Sequence, residues 1–137
     1  MIFSRSNIAK KYYHEQNYNC AESILLAVNE YYHLNLKKDD YEFLTAFGGG
    51  LGCERICGAL TGGIAALGKL FKVDKETMHT LSAELINDFE IHLNTSICLE
   101  LKEKYRTEEF HCLKTVELAA DVFENFVSKN KNFLSIR

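Results

Sequence analysis

Glycine is concentrated in one short stretch of this chain, and few residues elsewhere would interrupt a helix. Seven of the eight glycines lie between residues 47 and 63, in the run FGGGLGCERICGALTGG, and the chain contains no proline. Elsewhere, apolar and charged residues alternate at helical spacing, and no segment shows the alternation of period two that is typical of strands. The sequence therefore predicts an all-α fold whose sharpest break falls at the glycine run.

Capping residues and apolar spacing predict a helical bundle of about five or six helices. Asn19 is a good N-cap, and Glu22 completes a capping box, so Cys20 should be the first residue of the second helix. The other predicted segments are a first helix over 4–17, a short helix from 39 to 47, helices over about 55–71 and 74–94, a brief turn holding Cys98 after a cap at Thr95 or Ser96, and a last helix from a cap at Thr107 to Lys129.

The size and charge of the chain exclude several classes of protein. With 137 residues we expect a single domain over 1–137 that buries its core without disulfides. A net charge of −3 without a basic patch predicts no nucleic-acid partner. The longest uncharged run, 56–68, is too short to span a bilayer, and the N-terminus lacks the apolar segment of a signal peptide. We therefore expect no direct membrane insertion and a cytoplasmic location.

Cysteine is the residue type that points to chemistry. Five cysteines in a cytoplasmic chain favour metal binding or thiol redox chemistry over a static disulfide framework. Four of them fall within the first two turns of predicted helices, where unpaired N–H groups and the helix dipole stabilise a thiolate. These four are Cys20, Cys57, Cys98 and Cys112. Their spacings match no zinc-finger or ferredoxin pattern, so any metal site must be assembled by the fold.

Glycines inside the predicted fourth helix indicate a close approach by another group. Gly58 and Gly62 present a small-residue face, and each interior glycine costs roughly 1 kcal/mol relative to alanine. Tight packing of a second helix and binding of a ligand or cofactor both explain this face. The GGGLG run is not read as a phosphate cradle, because no strand precedes it and no Lys-Ser or Lys-Thr pair follows it.

The motif CGALTGG at 57–63, with FGGGLG before it and NCAES upstream, resembles the C_GCAxxG_C_C family, whose members are described as redox-active. The resemblance covers nearly the whole chain. It implies that the four characteristic cysteines of the family correspond to Cys20, Cys57, Cys98 and Cys112, with Gly58 and Gly62 in the motif. Cys53 lies outside this pattern and receives no role. A similar four-cysteine domain in split-Soret cytochromes is associated with a suspected iron–sulfur site.

Our leading hypothesis is that Cys20, Cys57, Cys98 and Cys112 converge in one pocket. They would act as the catalytic residues of a thiol oxidoreductase, or of an electron-transfer protein, with an unidentified redox partner. Cys57 is the strongest candidate for the reactive thiol, because it belongs to the motif. The first alternative is that the same four cysteines are metal ligands for an iron–sulfur cluster or zinc.

A second alternative comes from a different class: a helical interaction module without catalysis, in which the cysteines are core residues, since free cysteine is often a small buried hydrophobe. The exposed ends of so short a bundle also favour a homodimer.

Overall fold

Helices form nearly all the regular structure between residues 5 and 134, the part of the chain that the computed structural model describes. No strand lies in this range, which confirms the all-α prediction. The described residues form seven α-helices, above the predicted five or six, because the segment holding Cys98 forms a helix of eight residues instead of a brief turn. They are α1 (Arg5–Lys10), α2 (Cys20–Tyr32), α3 (Lys38–Tyr41), α4 (Gly58–Leu70), α5 (Lys75–Leu93), α6 (Cys98–Tyr105) and α7 (Leu113–Lys129).

Two helices begin where their capping residues predict. The Asn19 side chain accepts a hydrogen bond from the backbone N–H of Glu22 at 2.8 Å, and the Glu22 carboxylate accepts one from the backbone N–H of Asn19 at 2.9 Å. This capping box makes Cys20 the first residue of α2. Asp74 precedes α5, and Asn94 follows it in a left-handed conformation that ends the helix.

Three predicted helix starts are wrong. Thr107 does not begin the last helix, because Thr107 and His111 exchange backbone hydrogen bonds of 3.1 and 2.7 Å that close a tight loop before α7. α4 begins at Gly58 instead of near Arg55. Neither Thr95 nor Ser96 is the N-cap of α6, a position that Ile97 occupies. The first helix is shorter than predicted: α1 passes into a π-helical turn at Lys11–Glu15, and residue 4 lies outside the described range.

The core is one cluster of buried side chains around α4 and α7. α4 packs against α2, α5 and α7, while α7 also covers α1. The face of α7 that points into the core carries Val116, Ala120 and Phe123, which are all buried. Gly62 allows α2 and α4 to touch, because a Cβ atom there would lie 2.4 Å from the carbonyl oxygen of Ala21. The prediction of one domain over 1–137 stays a prediction.

The glycine run forms a left-handed loop. After α3 and a 3₁₀ turn at Glu42–Phe47, four successive residues from Gly49 to Gly52 have φ between 61° and 78°. Three of these four are glycines, the residue type that adopts such angles at little cost. The loop folds the chain back towards α6 before α4 begins. Within the described part of the chain, no helix has the length and apolar character needed to cross a membrane.

Candidate functional site

The N-terminal ends of four helices surround one cavity of about 190 Å³. Cys20 and Cys98 are the first residues of α2 and α6, whereas Cys57 and Cys112 immediately precede α4 and α7. All four cysteines line this cavity. All five cysteines of the chain are free thiols. The structure therefore brings together the four cysteines that the sequence singles out and leaves Cys53 outside the cavity lining.

Two of these helix starts are tied together by a short backbone bridge. Ile56 and Ile97 pair in an antiparallel bridge between the glycine loop and the turn before α6. The N–H of Cys57 donates to the carbonyl of Ser96 at 2.8 Å, and the N–H of Cys98 donates to the carbonyl of Arg55 at 2.6 Å. This extended segment delays the start of α4 until Gly58. It also fixes the backbones of two cavity cysteines relative to each other.

Cys112 is the most acidic thiol of the cavity. Hydrogen bonding from the Cys20 thiol is the main cause, and it lowers the pKa of Cys112 to about 6 although burial opposes the shift. The same interaction raises the pKa of Cys20 well above its ordinary value, with burial adding to the effect. At neutral pH the pair therefore consists of a Cys112 thiolate that accepts a hydrogen bond from a Cys20 thiol.

Tyr13, near the other end of the chain, forms a hydrogen bond with Cys112. Its hydroxyl accepts a hydrogen bond from the backbone N–H of Cys112 at 3.0 Å. The hydroxyl also donates to the Cys112 sulfur, which helps to lower the pKa of that thiol. Burial raises the pKa of Tyr13, so this donor keeps its proton at neutral pH. Tyr13 sits in the π-helical turn at Lys11–Glu15, and such turns are frequent at functional sites.

Cys57 and Cys98 behave in the opposite way to Cys112. Burial raises the pKa of Cys57 to about 11, although the backbone amides of Ala59 and Leu60 act against the shift. Burial likewise raises the pKa of Cys98, partly offset by the nearby Lys102 ammonium. The expectation that a helix start lowers the thiol pKa is thus wrong for three of the four cysteines: burial raises the pKa of Cys57 and Cys98, and the interaction with Cys112 raises that of Cys20.

Two cations at and just after α6 bring positive charge to the cavity. Cys98 and Lys102 are four residues apart and share a face of α6, Arg106 directly follows the helix in an extended conformation, and all three residues line the cavity. Lys102 pairs with Glu54 of the glycine loop at 2.9 Å. Arg106 donates to Nδ1 of His111 at 2.9 Å. Both cations favour the Cys112 thiolate.

Sequence reasoning did not place five polar residues at this cavity: Tyr13, Asn19, Lys102, Arg106 and Thr115, of which Asn19 was identified only as a helix cap. The spacing of Lys102 and Arg106 from Cys98 was a usable signal for two of them. Thr115 follows Cys112 by three residues and therefore lies on the same face of its helix. Tyr13 carried no signal, since it lies 99 residues from the cysteine that it contacts.

The two motif glycines have different surroundings. Gly58 lines the cavity, and a Cβ there would lie 3.0 Å from the carbonyl oxygen of Phe47 and 3.4 Å from Cβ of Cys20. Gly62 is packed against the backbone of Ala21, as close helix packing requires. Their predicted role in cofactor binding stays a prediction. Cys53 is exposed in the glycine loop, where its sulfur lies 3.7 Å from the carbonyl oxygen of Gly50.

The arrangement of the thiols bears on the metal hypothesis. Among the side chains of the described residues, no three of the Cys, His, Asp and Glu type are grouped so that they could hold one metal ion. The four cysteines line a shared cavity instead. This arrangement does not fit a single zinc ion, whereas an iron–sulfur cluster, which four thiolates hold from around it, stays a prediction.

Comparison with known families gives one match. The family described as Putative redox-active protein (C_GCAxxG_C_C) matches residues 18–126. The chain belongs to this family. No curated protein and no solved structure matches the chain. The match to the C_GCAxxG_C_C family begins just before Cys20 and includes Cys112, so it spans the whole set of cavity cysteines.

Proposed function

We propose that this protein is a thiol oxidoreductase in which Cys112 attacks disulfides and Cys20 is the second sulfur of the redox pair. The observation that carries the proposal is the placement of Cys20 and Cys112 in the lining of one cavity, where the interaction with Cys20 is the main cause that lowers the pKa of Cys112. A thiolate is the attacking form, and a thiol with a pKa near ambient pH combines a large thiolate fraction with good nucleophilicity. At pH 7, a pKa of about 6 gives roughly ten thiolates for each thiol.

The reaction balances with a disulfide as the oxidant. The Cys112 thiolate attacks one sulfur of the substrate, forms a mixed disulfide and releases the other half as a thiolate, which takes the proton of the Cys20 thiol. The Cys20 thiolate then attacks the Cys112 sulfur and releases the second half, which takes a proton from solvent. The substrate is reduced to two thiols, and the Cys20 and Cys112 thiols are oxidised to one disulfide.

The hydroxyl of Tyr13 and the cations of Lys102 and Arg106 position and stabilise the thiolate before the attack. Tyr13 is a positioning residue, because it acts on the substrate through Cys112. Cys57 and Cys98 stay protonated at neutral pH, since burial raises the pKa of both. We therefore assign the attack to Cys112 and not to Cys57, the thiol that the motif favours.

The physiological setting follows from the chemistry. A reducing compartment such as the cytoplasm would return the Cys20–Cys112 disulfide to thiols through a redox partner, as this cycle requires. Nucleic acid and membrane have no part in the proposed cycle.

The test combines disulfide turnover with peptide mapping. The reduced protein is mixed with hydroxyethyl disulfide under anaerobic conditions, and the new protein disulfides are located by mass spectrometry. We expect a Cys20–Cys112 disulfide in the wild type. In Cys20→Ser, we expect a mixed disulfide that accumulates on Cys112, because the second attack is lost. Cys53→Ser is the matched control and should behave as the wild type.

Three outcomes would contradict the proposal. A disulfide that excludes Cys112 would assign the attack to another thiol. Stoichiometric iron with charge-transfer bands, or stoichiometric zinc, in anaerobically purified protein would favour the metal site over thiol exchange. Absence of any exchange at Cys112, with the fold intact, would favour the interaction module with inert core cysteines.

A further inference from the structure

We infer that the substrate of this cavity is a low-molecular-weight disulfide carrying carboxylate groups, bound through Lys102, Arg106 and Thr115. This inference rests on the proposed function, since it names the substrate of the same cysteines. Three observations carry it: the positive charge of Lys102 and Arg106 at the cavity, a buried hydroxyl without a partner among the described residues, and the size of the cavity.

The charged lysine and arginine side chains that line the cavity are both positive. Lys102 and Arg106 both line the cavity, and no carboxylate side chain does. Two anions compete for these cations: the Cys112 thiolate, and Glu54, whose carboxylate lies 2.9 Å from the Lys102 ammonium at the edge of the glycine loop. Arg106 uses one N–H group on His111, which leaves further donors of its planar guanidinium for a carboxylate.

Thr115 supplies the independent sign of a ligand. It lines the same cavity and is only 3% exposed. Its hydroxyl oxygen is buried and has no hydrogen-bond partner among the described residues. An unpaired buried hydroxyl is costly unless something in the cavity satisfies it. A carboxylate would accept the hydrogen bond of this hydroxyl while the cations neutralise its charge.

The cavity size selects a small molecule. A cavity of about 190 Å³ is somewhat larger than the ~150 Å³ apolar cavity that admits benzene. Half of a small disulfide fills such a space and places its sulfur against Cys112. A disulfide within a protein would have to bring two flanking backbones past Gly49 and Gly50, which also line the cavity.

The experiment compares three disulfides of nearly equal size: dithiodipropionate with two carboxylates, hydroxyethyl disulfide without charge, and cystamine with two ammonium groups. Oxidation of Cys112 is followed at pH 8 and low salt, where the thiolate is fully formed. We expect dithiodipropionate to react about tenfold faster than cystamine. A free thiolate gives the opposite order, since its negative charge attracts the cation and repels the carboxylates.

Single substitutions assign the preference to the named residues. Lys102→Met should reduce the ratio of the two rates to near one, and Glu54→Gln should increase it, because Glu54 competes for Lys102. Lys104→Met is the matched control, since this exposed lysine on the same helix lies outside the cavity lining and contacts the ring of Tyr105. Thr115→Val should slow dithiodipropionate more than cystamine.

A non-reacting probe separates failure of this inference from failure of the proposed function. Suberate has the shape and charge of dithiodipropionate but carbon in place of sulfur, and it should protect Cys112 from alkylation, whereas octanediol should not. Protection by suberate without any disulfide exchange would overturn the function and keep the anion site. Exchange at Cys112 with cystamine as the faster substrate, or a peptide disulfide that reacts faster than dithiodipropionate, would overturn the inference and keep the function.

Discussion

The starts of α4 and α7 carry a cysteine at the same position, immediately before the first helical residue, and yet the two thiols differ in acidity. At α4, burial raises the pKa of Cys57 to about 11. At α7, hydrogen bonding from Cys20 and from Tyr13 lowers the pKa of Cys112 to about 6. Cys57 is 4% exposed and packs into the core, whereas Cys112 is half-buried and faces cations. The helix dipole is common to both sites, so it does not decide which thiol ionises; the surrounding donors and the burial do.

The largest expected effect separates the two thiols directly. At pH 6, about half of Cys112 but only about one Cys57 in 10⁵ is thiolate. Iodoacetamide should therefore label Cys112 at least ~1000-fold faster than Cys57, as measured by peptide mapping against time. Cys112→Ser should remove this fast labelling, and Cys57→Ser should leave it. Fast labelling at Cys57 would show that the start of α4 is the reactive one.

The second prediction concerns the close contact between α4 and α2 at Gly62. Gly62→Ala should lower the free energy of unfolding by about 3 kcal/mol, because the new Cβ would meet the Ala21 carbonyl oxygen at 2.4 Å. Gly68→Ala is the control on the same helix. No atom lies within 4 Å of a Cβ at Gly68, so this variant should gain about 1 kcal/mol. Denaturant unfolding measures both, and equal effects would contradict the close contact of α2 and α4.

A smaller effect tests why Cys112 is acidic. Tyr13→Phe removes the hydroxyl that donates to the thiolate, so the midpoint of the pH dependence of Cys112 labelling should move up by about one pH unit. The sign follows from the lost donor: the thiolate loses stabilisation, and a higher pH is needed to form it. Tyr12→Phe is the matched control, because the Tyr12 hydroxyl donates to Glu30 at 2.7 Å and does not contact Cys112. A shift of the same size in both variants would refute the assigned role.

The smallest effect is expected at the cysteine outside the cavity. Cys53 is exposed on the glycine loop. Among the described residues, its sulfur has one hydrogen-bond partner, the carbonyl oxygen of Gly50 at 3.7 Å. Cys53→Ser should change the free energy of unfolding by less than about 0.5 kcal/mol. It should also leave the pH midpoint at Cys112 unchanged. A shift of that midpoint would link the glycine loop to the thiol pair.

The sequence predicts features that depend on neighbouring residues. The capping box at Asn19 and Glu22 and the limits of α5 are local, and both are confirmed. The start of α4 could not be predicted, because it depends on the pairing of Ile56 with Ile97, 41 residues away. The helix start predicted at Thr107 is wrong for a similar reason. Thr107 pairs with His111, four residues away, and the loop that they close replaces the first turn of the predicted helix.

For the candidate site, the sequence predicted that four cysteines come together, and they line one cavity, but the expected lowering of the thiol pKa holds only for Cys112. Position at a helix start is visible in the sequence, whereas burial and the hydroxyl of Tyr13 depend on the tertiary fold. The motif favours Cys57 as the reactive thiol. The acidic thiol is Cys112, whose pKa is lowered by Cys20 and Tyr13 from the first part of the chain.

The contact between Tyr13 and Cys112 has a consequence for the life of the chain during synthesis. The residues that make Cys112 acidic are Tyr13 and Cys20 in the first 20 residues and Lys102 and Arg106, while Cys112 itself precedes the last helix. An unfolded or growing chain lacks these contacts, so its Cys112 should have an ordinary thiol pKa. The acidity of Cys112 is therefore acquired only when both ends of the chain have folded together.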